Sequence, residues 1–369
     1  MHRPMMPGAE IARSNLDRLV RDGKIPGIQY RVVAPEGIAF EYTCGWADLA
    51  RRRQLNADTT LMAYSMSKTI TAAAVLQLVD AQKIALAHPI DVYLPSQPYG
   101  PDVTVRQLLS HTSGIPNPIP LRWVHPAAFH DSFDEHAALT RVLHQYPRLS
   151  VPPGTRFKYS NIGYWLLGRI VESASGKSFP AYVREHILEP LGITAQELGY
   201  SVPDIDNHAK GYLEKYSAIN LVKRFLIDRD LIGDYEGPWL HLRAHYVNGA
   251  AFGGLVGTAA GFAKFLQDQL RAHSLLFANT TRDLFFAPQH TRAGTSIPMT
   301  LGWHIGAVGR AQFFYKEGGG GGFHSMMRIY PASRIATVVL TNATTFDVRG
   351  LLDAIDPPCL ASTATHLGR

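Results

Sequence analysis

Cysteine and long apolar runs are both scarce in this sequence of 369 residues. The two cysteines, Cys44 and Cys359, lie far apart in the chain, so a disulfide framework is not predicted. Residues 1–19 lack the apolar segment of a signal peptide, and no run reaches the length of a membrane span. These absences predict a globular, cytoplasmic protein that does not associate with membranes.

Signatures of nucleic-acid binding, metal binding and one common hydrolase fold are also missing. The net charge is only +6, and the basic run Arg51-Arg52-Arg53 lacks interleaved aromatics, so we interpret it as a solvated turn. His241 and His245 have the spacing of a metal pair on a helix but lack a His-Glu-x-x-His pattern. No Gly-x-Ser-x-Gly motif occurs, which argues against the nucleophile turn of the α/β-hydrolase fold. We therefore predict no metal, no cofactor, no nucleic-acid partner and no obligatory protein partner.

A serine and a lysine three residues apart provide the first chemical signal. Ser65 and Lys68 stand at the start of an apolar segment that predicts a helix beginning at Ser65. Side chains at this spacing share one helix face, so the amine can reach the hydroxyl. The helix N-terminus adds partial positive charge and free N–H groups for an oxyanion. The pattern predicts that Ser65 is a nucleophile activated by Lys68.

A second motif, Tyr159-x-Asn161, follows a Pro-Pro-Gly break at 152–154 and precedes an apolar, amphipathic run. The pattern predicts a loop ahead of a helix, from which both side chains can reach a cleft. A tyrosine near two ammonium groups can be partly deprotonated and relay a proton. Asn161 can both donate to and accept from a substrate carbonyl or amide. We therefore predict a catalytic role for Tyr159 and a binding role for Asn161.

A third motif, Lys316-Glu317-Gly318, ends a strand-like segment and opens a run of five glycines. Glycines beside a strand allow another backbone or a substrate to approach closely. Lys316 is expected to contribute positive potential. Gly318 and Gly319 are expected to contact the substrate, with the Gly319 amide as a second oxyanion donor.

Strand-forming segments lie at both ends of the chain, whereas the middle is mostly helical. Strands are predicted at 28–33, 38–42, 302–308, 311–316, 325–330 and 335–341, and terminal helices at 11–20 and 346–355. The stretch 201–248 is the least regular part. We interpret its aromatic residues as core, with the lining of a pocket as the alternative: Tyr212, Tyr216, Phe225, Tyr235, Trp239 and Tyr246.

In their order and spacing, the three motifs resemble those of the penicillin-recognising serine hydrolases. The class C β-lactamase branch, with its DD-peptidases and family VIII carboxylesterases, is the most similar, and phrases at 23–27, 103–114 and 253–258 resemble it too. The resemblance implies an α/β fold of the α+β type, with one antiparallel sheet built from both chain ends. It also implies a sheet domain of residues 1–89 and 250–369, a mostly helical domain of residues 90–249, and an active site between them.

The resemblance implies acyl transfer through a covalent acyl-enzyme on Ser65. Either Lys68 or Tyr159 could remove the serine proton first, because coupled groups share their titration. The backbone N–H groups of Ser65 and Gly319 would stabilise the oxyanion, Asn161 would orient the substrate, and the substrate would be a small ester or amide.

The middle residue of the third motif bears on the choice of substrate. β-Lactamases and DD-peptidases usually carry a Thr or Ser hydroxyl where this chain has Glu317. A carboxylate facing the cleft would repel an anionic substrate, although the strand pleat could turn it away. We therefore expect a carboxylesterase that acts on short-chain neutral esters. A side activity as a β-lactamase is compatible with this expectation. A β-lactamase or D-amino-acid peptidase is the alternative. A non-catalytic sensor or scaffold is the second alternative, and the intact Ser-Lys-Tyr set argues against it.

Overall fold

The structure is a computed structural model that describes residues 6, 8–119, 123–218, 220–221 and 228–360. Its α-helices are α1 (Ala9–Arg21), α2 (Ser67–Asp80), α3 (Val105–Leu109), α4 (Glu135–Gln145), α5 (Asn161–Ser175), α6 (Phe179–Val183), α7 (Ala250–Gly253), α8 (Ala259–Leu270), α9 (Asn279–Phe286) and α10 (Val348–Leu360). Its strands are β1 (Gly27–Ala34), β2 (Gly37–Asp48), β3 (Arg53–Gln54), β4 (Leu61–Met62), β5 (Val124–Pro126), β6 (Leu198–Gly199), β7 (Gly211–Glu214), β8 (Ile232–Glu236), β9 (Trp239–Leu242), β10 (His245–Val247), β11 (Val256–Gly257), β12 (His304–Val308), β13 (Ala311–Gly320), β14 (Phe323–Tyr330) and β15 (Ile335–Thr341).

A seven-stranded sheet unites the two ends of the chain. Its order is β12-β13-β14-β15-β1-β2-β3, and its neighbouring strands run antiparallel. The N-terminal and C-terminal halves join where β1 pairs with β15, with Ile28 opposite Thr341. The antiparallel sheet expected from both chain ends is therefore confirmed.

Helices cover both faces of this sheet. On one face the terminal helices α1 and α10 pack together, and Leu16 and Leu352 enter the same core as Tyr30 of β1. On the other face α8 packs against β1 and β15, and it shares a larger core with α2 and α5. Burial of β1 on both faces explains its nearly continuous apolar sequence, because a strand with no solvent-facing side has no need for alternation.

A buried carboxylate ties α10 to the sheet. Asp356 is fully buried and accepts hydrogen bonds from the hydroxyls of Tyr30 (2.8 Å), Tyr330 (2.6 Å) and Thr337 (2.9 Å). The Arg328 guanidinium lies 3.8 Å from the same carboxylate. A buried charge is tolerated only when its lone pairs are satisfied, so this network fixes the position of α10 on β1, β14 and β15.

The helix α2 runs through the interior of the molecule. From Leu61 to Leu76 every residue is buried except Ser65, which is half-buried. The polar side chains of α2 are satisfied by backbone carbonyls: Thr69 donates to Gly302 (3.1 Å) and Thr71 to Ala251 (2.6 Å). A helix apolar on all sides belongs in a core, and this position presents Ser65 at a fixed point of the fold.

The middle of the chain contains helices α3 to α6 and also short strands that the sequence did not predict. Strands β7, β9 and β8 form a three-stranded sheet, and β10 pairs with β5. These strands have two to five residues, too few for a pattern of alternating polarity to be recognised. The division into domains at residues 90 and 249 stays a prediction. Each helix in the described ranges is too short or too polar to cross a bilayer.

Candidate active site

Ser65 lies in a tight turn that leads into α2. Residues Tyr64–Met66 form a single 3₁₀ turn, in which Tyr64 has a φ of 46°, the left-handed region that non-glycine residues rarely adopt. The hydroxyl of Ser67 holds this turn in place by donating to the Tyr64 carbonyl (2.7 Å) and accepting from the Leu255 amide (3.0 Å). The predicted helix start is confirmed within two residues, and the turn leaves the Ser65 side chain accessible.

Lys68 reaches the nucleophile from the first turn of α2. Its Nζ lies 2.9 Å from Ser65 Oγ and donates to the Phe252 carbonyl at 2.6 Å. The side chain is fully buried. Burial, and then the charge of Lys316, lower the pKa of Lys68 well below the usual range for lysine. A neutral amine at this distance can accept the serine proton.

Tyr159 contacts the same oxygen. It lies in the loop ahead of α5, as predicted, and its hydroxyl donates to Ser65 Oγ at 2.9 Å. Burial raises the pKa of Tyr159, which argues against the expectation of a partly deprotonated tyrosine. The nearby amines release protons more readily than the phenol does, because desolvation favours the neutral form of both groups. These pKa directions favour a neutral Lys68 and a protonated Tyr159.

Lys316 lies under the same tyrosine without touching Ser65. Its Nζ is 5.5 Å from the ring centre of Tyr159 and 5.6 Å from that of Tyr164. The amine is buried and has no hydrogen-bond partner among the described residues. Burial lowers its pKa to about 7. Lys316 thus contributes a charge that varies near neutral pH.

Gly318 allows β13 to lie directly on the nucleophile turn. A Cβ atom there would stand 2.1 Å from the Ala63 carbonyl oxygen and 2.9 Å from the Ser65 nitrogen. No side chain fits at that distance, so the close approach requires glycine. Its role in the site is therefore close packing, and its neighbour Gly319 lines the cavity beside Ser65.

The second half of β13 has a free edge. Among the described strands, β12 pairs only with residues 311–315 of β13, whereas β14 pairs with residues 314–320. A half-paired strand leaves backbone donors and acceptors available to a ligand. This edge brings the Gly319 backbone to the cavity that contains Ser65, consistent with the predicted pair of oxyanion donors.

Asn161 is the first residue of α5 and lines the cavity with Ser65 and Tyr159. Its backbone N–H donates to the Asn117 side chain at 3.0 Å, which orients the start of the helix. The structure therefore brings together the residues of all three motifs.

His111 and His304 flank Tyr159. Nothing in the sequence indicated that His304 lies beside this tyrosine. The ring of His111 lies 4.3 Å from that of Tyr159, and its Nδ1 accepts the Ser160 N–H at 3.1 Å. The His304 ring stacks on Tyr159 at 6.3 Å. Burial lowers the pKa of both histidines, so neither brings a positive charge at neutral pH. His111 holds the tyrosine loop, in agreement with its interpretation as a structural residue.

A cavity of about 470 Å³ opens from Ser65 and is mostly apolar. The catalytic hydroxyls and Asn161 occupy one end, and the described lining contains no Asp, Glu, Lys or Arg. The apolar wall comes from Trp123, Val124, Leu213, Leu231, Leu242, Val247 and Phe252. Leucines of residues 201–248 thus line the pocket instead of the aromatics, although Phe225 lies outside the described residues. These leucines were missed because Leu213 and Leu242 lie on short strands and Leu231 ends a single 3₁₀ turn, elements too short to give a periodic pattern.

Glu317 is turned away from this cavity. Its carboxylate contacts His324 Nε2 (2.9 Å) and Arg349 (3.0 Å) and is absent from the cavity lining. The hydrogen bond from His324, followed by that from Arg349, lowers the pKa of Glu317. Alternation along β13 puts Lys316 and Gly318 on the face of the nucleophile and Glu317 on the other. The expectation that Glu317 repels anionic substrates in the cleft is therefore wrong.

Two histidines with metal-like spacing, His241 and His245, and the two cysteines have no contact with Ser65 among the hydrogen bonds of the described residues. His241 and His245 lie on separate strands, β9 and β10, and not on one helix. No group of three or more His, Cys, Asp or Glu residues that could hold a metal ion occurs in the described part of the chain. Cys44 and Cys359 are both free thiols.

Replacing Gly318 by alanine is expected to slow the reaction of Ser65 with a serine-directed phosphonate by about 10²-fold, the usual cost of a 1 Å displacement. The added methyl group must push β13 away from the nucleophile turn. Mass spectrometry of the Ser65 adduct over time provides the rate.

Gly319→Ala is the matched control, because its Cβ would meet only the His324 ring, at 3.2 Å. It also keeps the backbone N–H. Equal losses in the two variants would contradict the specific role of Gly318.

Lys316→Met is expected to move the acid limb of the kcat/KM profile towards higher pH. The charge of Lys316 lowers the pKa of Lys68, so its removal raises that pKa and the neutral base is lost at a higher pH. The pH profile of residual hydrolysis between pH 5 and 10 measures the shift. The exposed Lys177→Met serves as the control. An unchanged limb, or a shift towards acid, would refute this coupling.

Comparisons with known proteins extend over almost the whole chain. Residues 12–356 match the Beta-lactamase family. The chain is 25% identical over 324 residues to "Penicillin-binding protein 4*" of Bacillus subtilis, covering 84% of this chain and 67% of that protein. It is 27% identical over 355 residues to "Unguisins hydrolase ungD'" of Aspergillus campestris, covering 91% of this chain and 61% of that protein. The chain thus spans about two thirds of these relatives' length.

A solved structure has the same fold. The D-amino acid amidase from Ochrobactrum anthropi SV3, complexed with L-phenylalanine amide, aligns with a TM-score of 0.78 and 20% identity. The alignment covers 98% of this chain and 100% of that one. At this identity the similarity establishes the fold alone, and it confirms the expected α/β architecture. Because the family match covers nearly every described element, the chain belongs to the Beta-lactamase family, a family of serine hydrolases related to penicillin-binding proteins.

Proposed function

We propose that the protein is a carboxylesterase of the family VIII type that hydrolyses neutral, short-chain esters through an acyl-enzyme on Ser65. The uncharged cavity beside the nucleophile is the observation that supports this proposal. An acyl chain gains free energy from burial against leucine, valine and tryptophan side chains, whereas a carboxylate buried there would lack a counter-ion.

In the proposed acylation, neutral Lys68 removes the proton from Ser65 Oγ as this oxygen attacks the ester carbonyl. The distances of 2.9 Å from Oγ to both Lys68 Nζ and Tyr159 Oη suit this proton transfer. The N–H groups of Ser65 and Gly319 would stabilise the oxyanion, and one such donor is typically worth about 10²–10³ in rate. Lys68 thus becomes the favoured first base of the two alternatives.

The leaving alcohol then requires a proton. Tyr159 remains protonated and lies next to Ser65 Oγ, so it can donate to the alkoxide and recover the proton that Lys68 gained. In deacylation a water molecule takes the place of the alcohol, and the same two groups act in reverse. Neither step needs a metal or cofactor.

Hydrolysis of a β-lactam or of a D-amino-acid amide is the second candidate. It is supported by the names of the similar proteins, which include a penicillin-binding protein and a D-amino acid amidase. Such substrates are usually charged, and the described lining offers no ionised partner for either sign of charge. Arg349, the cation beside β13, is already paired with Glu317. The lack of an ionised partner in the described lining therefore favours a neutral ester over these charged substrates.

A substrate panel separates these candidates. With purified protein, kcat/KM for p-nitrophenyl butyrate is expected to exceed that for nitrocefin and for D-phenylalanine amide by at least about tenfold, equivalent to 1.4 kcal/mol. Ser65→Ala should abolish turnover of each substrate. If nitrocefin or the amide is the better substrate, the second candidate is correct. If none reacts and a phosphonate fails to label Ser65, the protein is a non-catalytic descendant.

Glu317→Gln tests whether the cavity lining, and not the third motif, sets the preference for neutral substrates. Because Glu317 points away from the cavity, the ratio of butyrate to nitrocefin kcat/KM should change by less than about twofold, or 0.4 kcal/mol. The variant should lose up to about 1 kcal/mol of stability, since its partly exposed ion pair is broken. A gain of tenfold for nitrocefin alone would restore Glu317 as a specificity residue.

A further inference from the structure

A second cavity, of about 310 Å³, lies on the other side of His245 from the nucleophile. His245 and Leu242 line both cavities, so they form a shared wall. The catalytic cavity is apolar, but the second cavity is lined by four basic side chains and two carboxylates: Arg51, Arg53, Lys210, Arg243, Asp48 and Asp206. The two cavities therefore suit chemically different ligands.

The positive charge of the second cavity is only partly compensated. Lys210 is neutralised by Asp48 (3.0 Å) and by Glu236 (2.7 Å). Arg53 and Arg243 have no carboxylate within ion-pair distance among the residues that the structure describes. Arg53 is half-buried, whereas Arg243 is exposed and donates to the Asp230 carbonyl at 3.1 Å. Both guanidinium groups line this cavity without a counter-ion in the part of the chain that the structure describes.

Arg53 is the residue that points most directly to a ligand. Its Nη2 donates to the His208 carbonyl at 2.6 Å, whereas Nη1 is shielded from solvent and has no hydrogen-bond partner in the described parts of the protein. A buried guanidinium nitrogen without an acceptor is costly. Arg52, its neighbour in the basic run, is exposed and absent from the lining. The interpretation of the whole run as a solvated turn is therefore wrong for Arg53.

We propose that the second cavity binds a small oxyanion, a carboxylate or a phosphate, between Arg53 and Arg243. Guanidinium groups match the planar, two-oxygen geometry of both anions. Asp206 at the exposed rim opposes entry of an anion, but the two arginines outnumber it. Burial, followed by the charges of neighbouring groups including Arg53, lowers the pKa of His208 to about 3, so this imidazole adds a neutral polar contact.

The binding experiment uses the intact protein and does not depend on the proposed esterase activity. Calorimetric titrations with sodium phosphate and with sodium butyrate are compared with sodium chloride at equal ionic strength, because screening alone also weakens charge interactions. Both oxyanions should bind, and chloride should give no saturable heat. Tighter binding of butyrate identifies a product carboxylate as the occupant, and tighter binding of phosphate identifies free phosphate. Absence of saturable binding for both overturns the proposal.

Variants locate the site. Arg53→Gln replaces the guanidinium by a shorter neutral amide and should weaken oxyanion binding at least tenfold, and Arg243→Gln should do the same. Arg52→Gln is the matched control and should bind as the parent does. Circular dichroism checks that each variant is folded. If both Arg53→Gln and Arg243→Gln bind like the parent, the second cavity is not the site.

A covalent block distinguishes the two cavities. Protein whose Ser65 carries a phosphonate should retain oxyanion binding, because the adduct fills only the catalytic cavity. In Ser65→Ala, which needs no labelling, binding should also be unchanged. Loss of binding in the phosphonylated protein, with retention in Ser65→Ala, would place the anion in the catalytic cavity and overturn the proposal.

Discussion

The burial of two lysine amines near one hydroxyl is the constraint on which the rest of the structure depends. Lys68 and Lys316 are both fully buried, and neither has a carboxylate partner among the residues that the structure describes. The packing of α2 and β13 excludes water from the two amines. Water in contact with the amines would hydrate them and keep them protonated. The burial of α2, the close approach at Gly318 and the aromatic rings near both amines each exclude water from this part of the site. They maintain an unprotonated base beside Ser65.

Chemistry and substrate selection are built from different parts of the chain. Ser65, Lys68, Tyr159 and Lys316 lie on the turn before α2, on α2, on the loop before α5 and on β13. The helices α2 and α5 contribute to the largest hydrophobic cluster, and β13 belongs to the seven-stranded sheet. The apolar wall of the cavity comes mainly from β5, β7, β9 and β10, short strands at the edge of the fold. Substitutions in this wall can alter the acyl group accepted without disturbing the proton path at Ser65.

The sequence was sufficient to predict the sheet and which residues come together around Ser65, but not the pocket. Ser65, Lys68 and Tyr159 stand in motifs whose spacing reflects local geometry, so a helix turn and a loop bring them together. The positions of the cavity leucines depend largely on pairing between short strands that are far apart in the sequence. Such short strands give no periodic pattern of polarity. The orientation of Glu317 depends on a one-residue alternation, and the sequence could not assign it to either face. Arg52 lies in the turn before β3, with a φ of 50°, whereas Arg53 is the first residue of β3 and lines the second cavity.

Placing β1 between β15 and β2 also determines when the protein can become active during synthesis. Ser65 and Lys68 leave the ribosome early, whereas Lys316 and the strand that completes the site emerge near the end. Until β15 is made, one edge of β1 has no partner, and exposed strand edges favour aggregation. A chain that ends before β15 would keep this edge of β1 unpaired, so the same pairing that joins the two halves of the fold also covers an edge prone to aggregation.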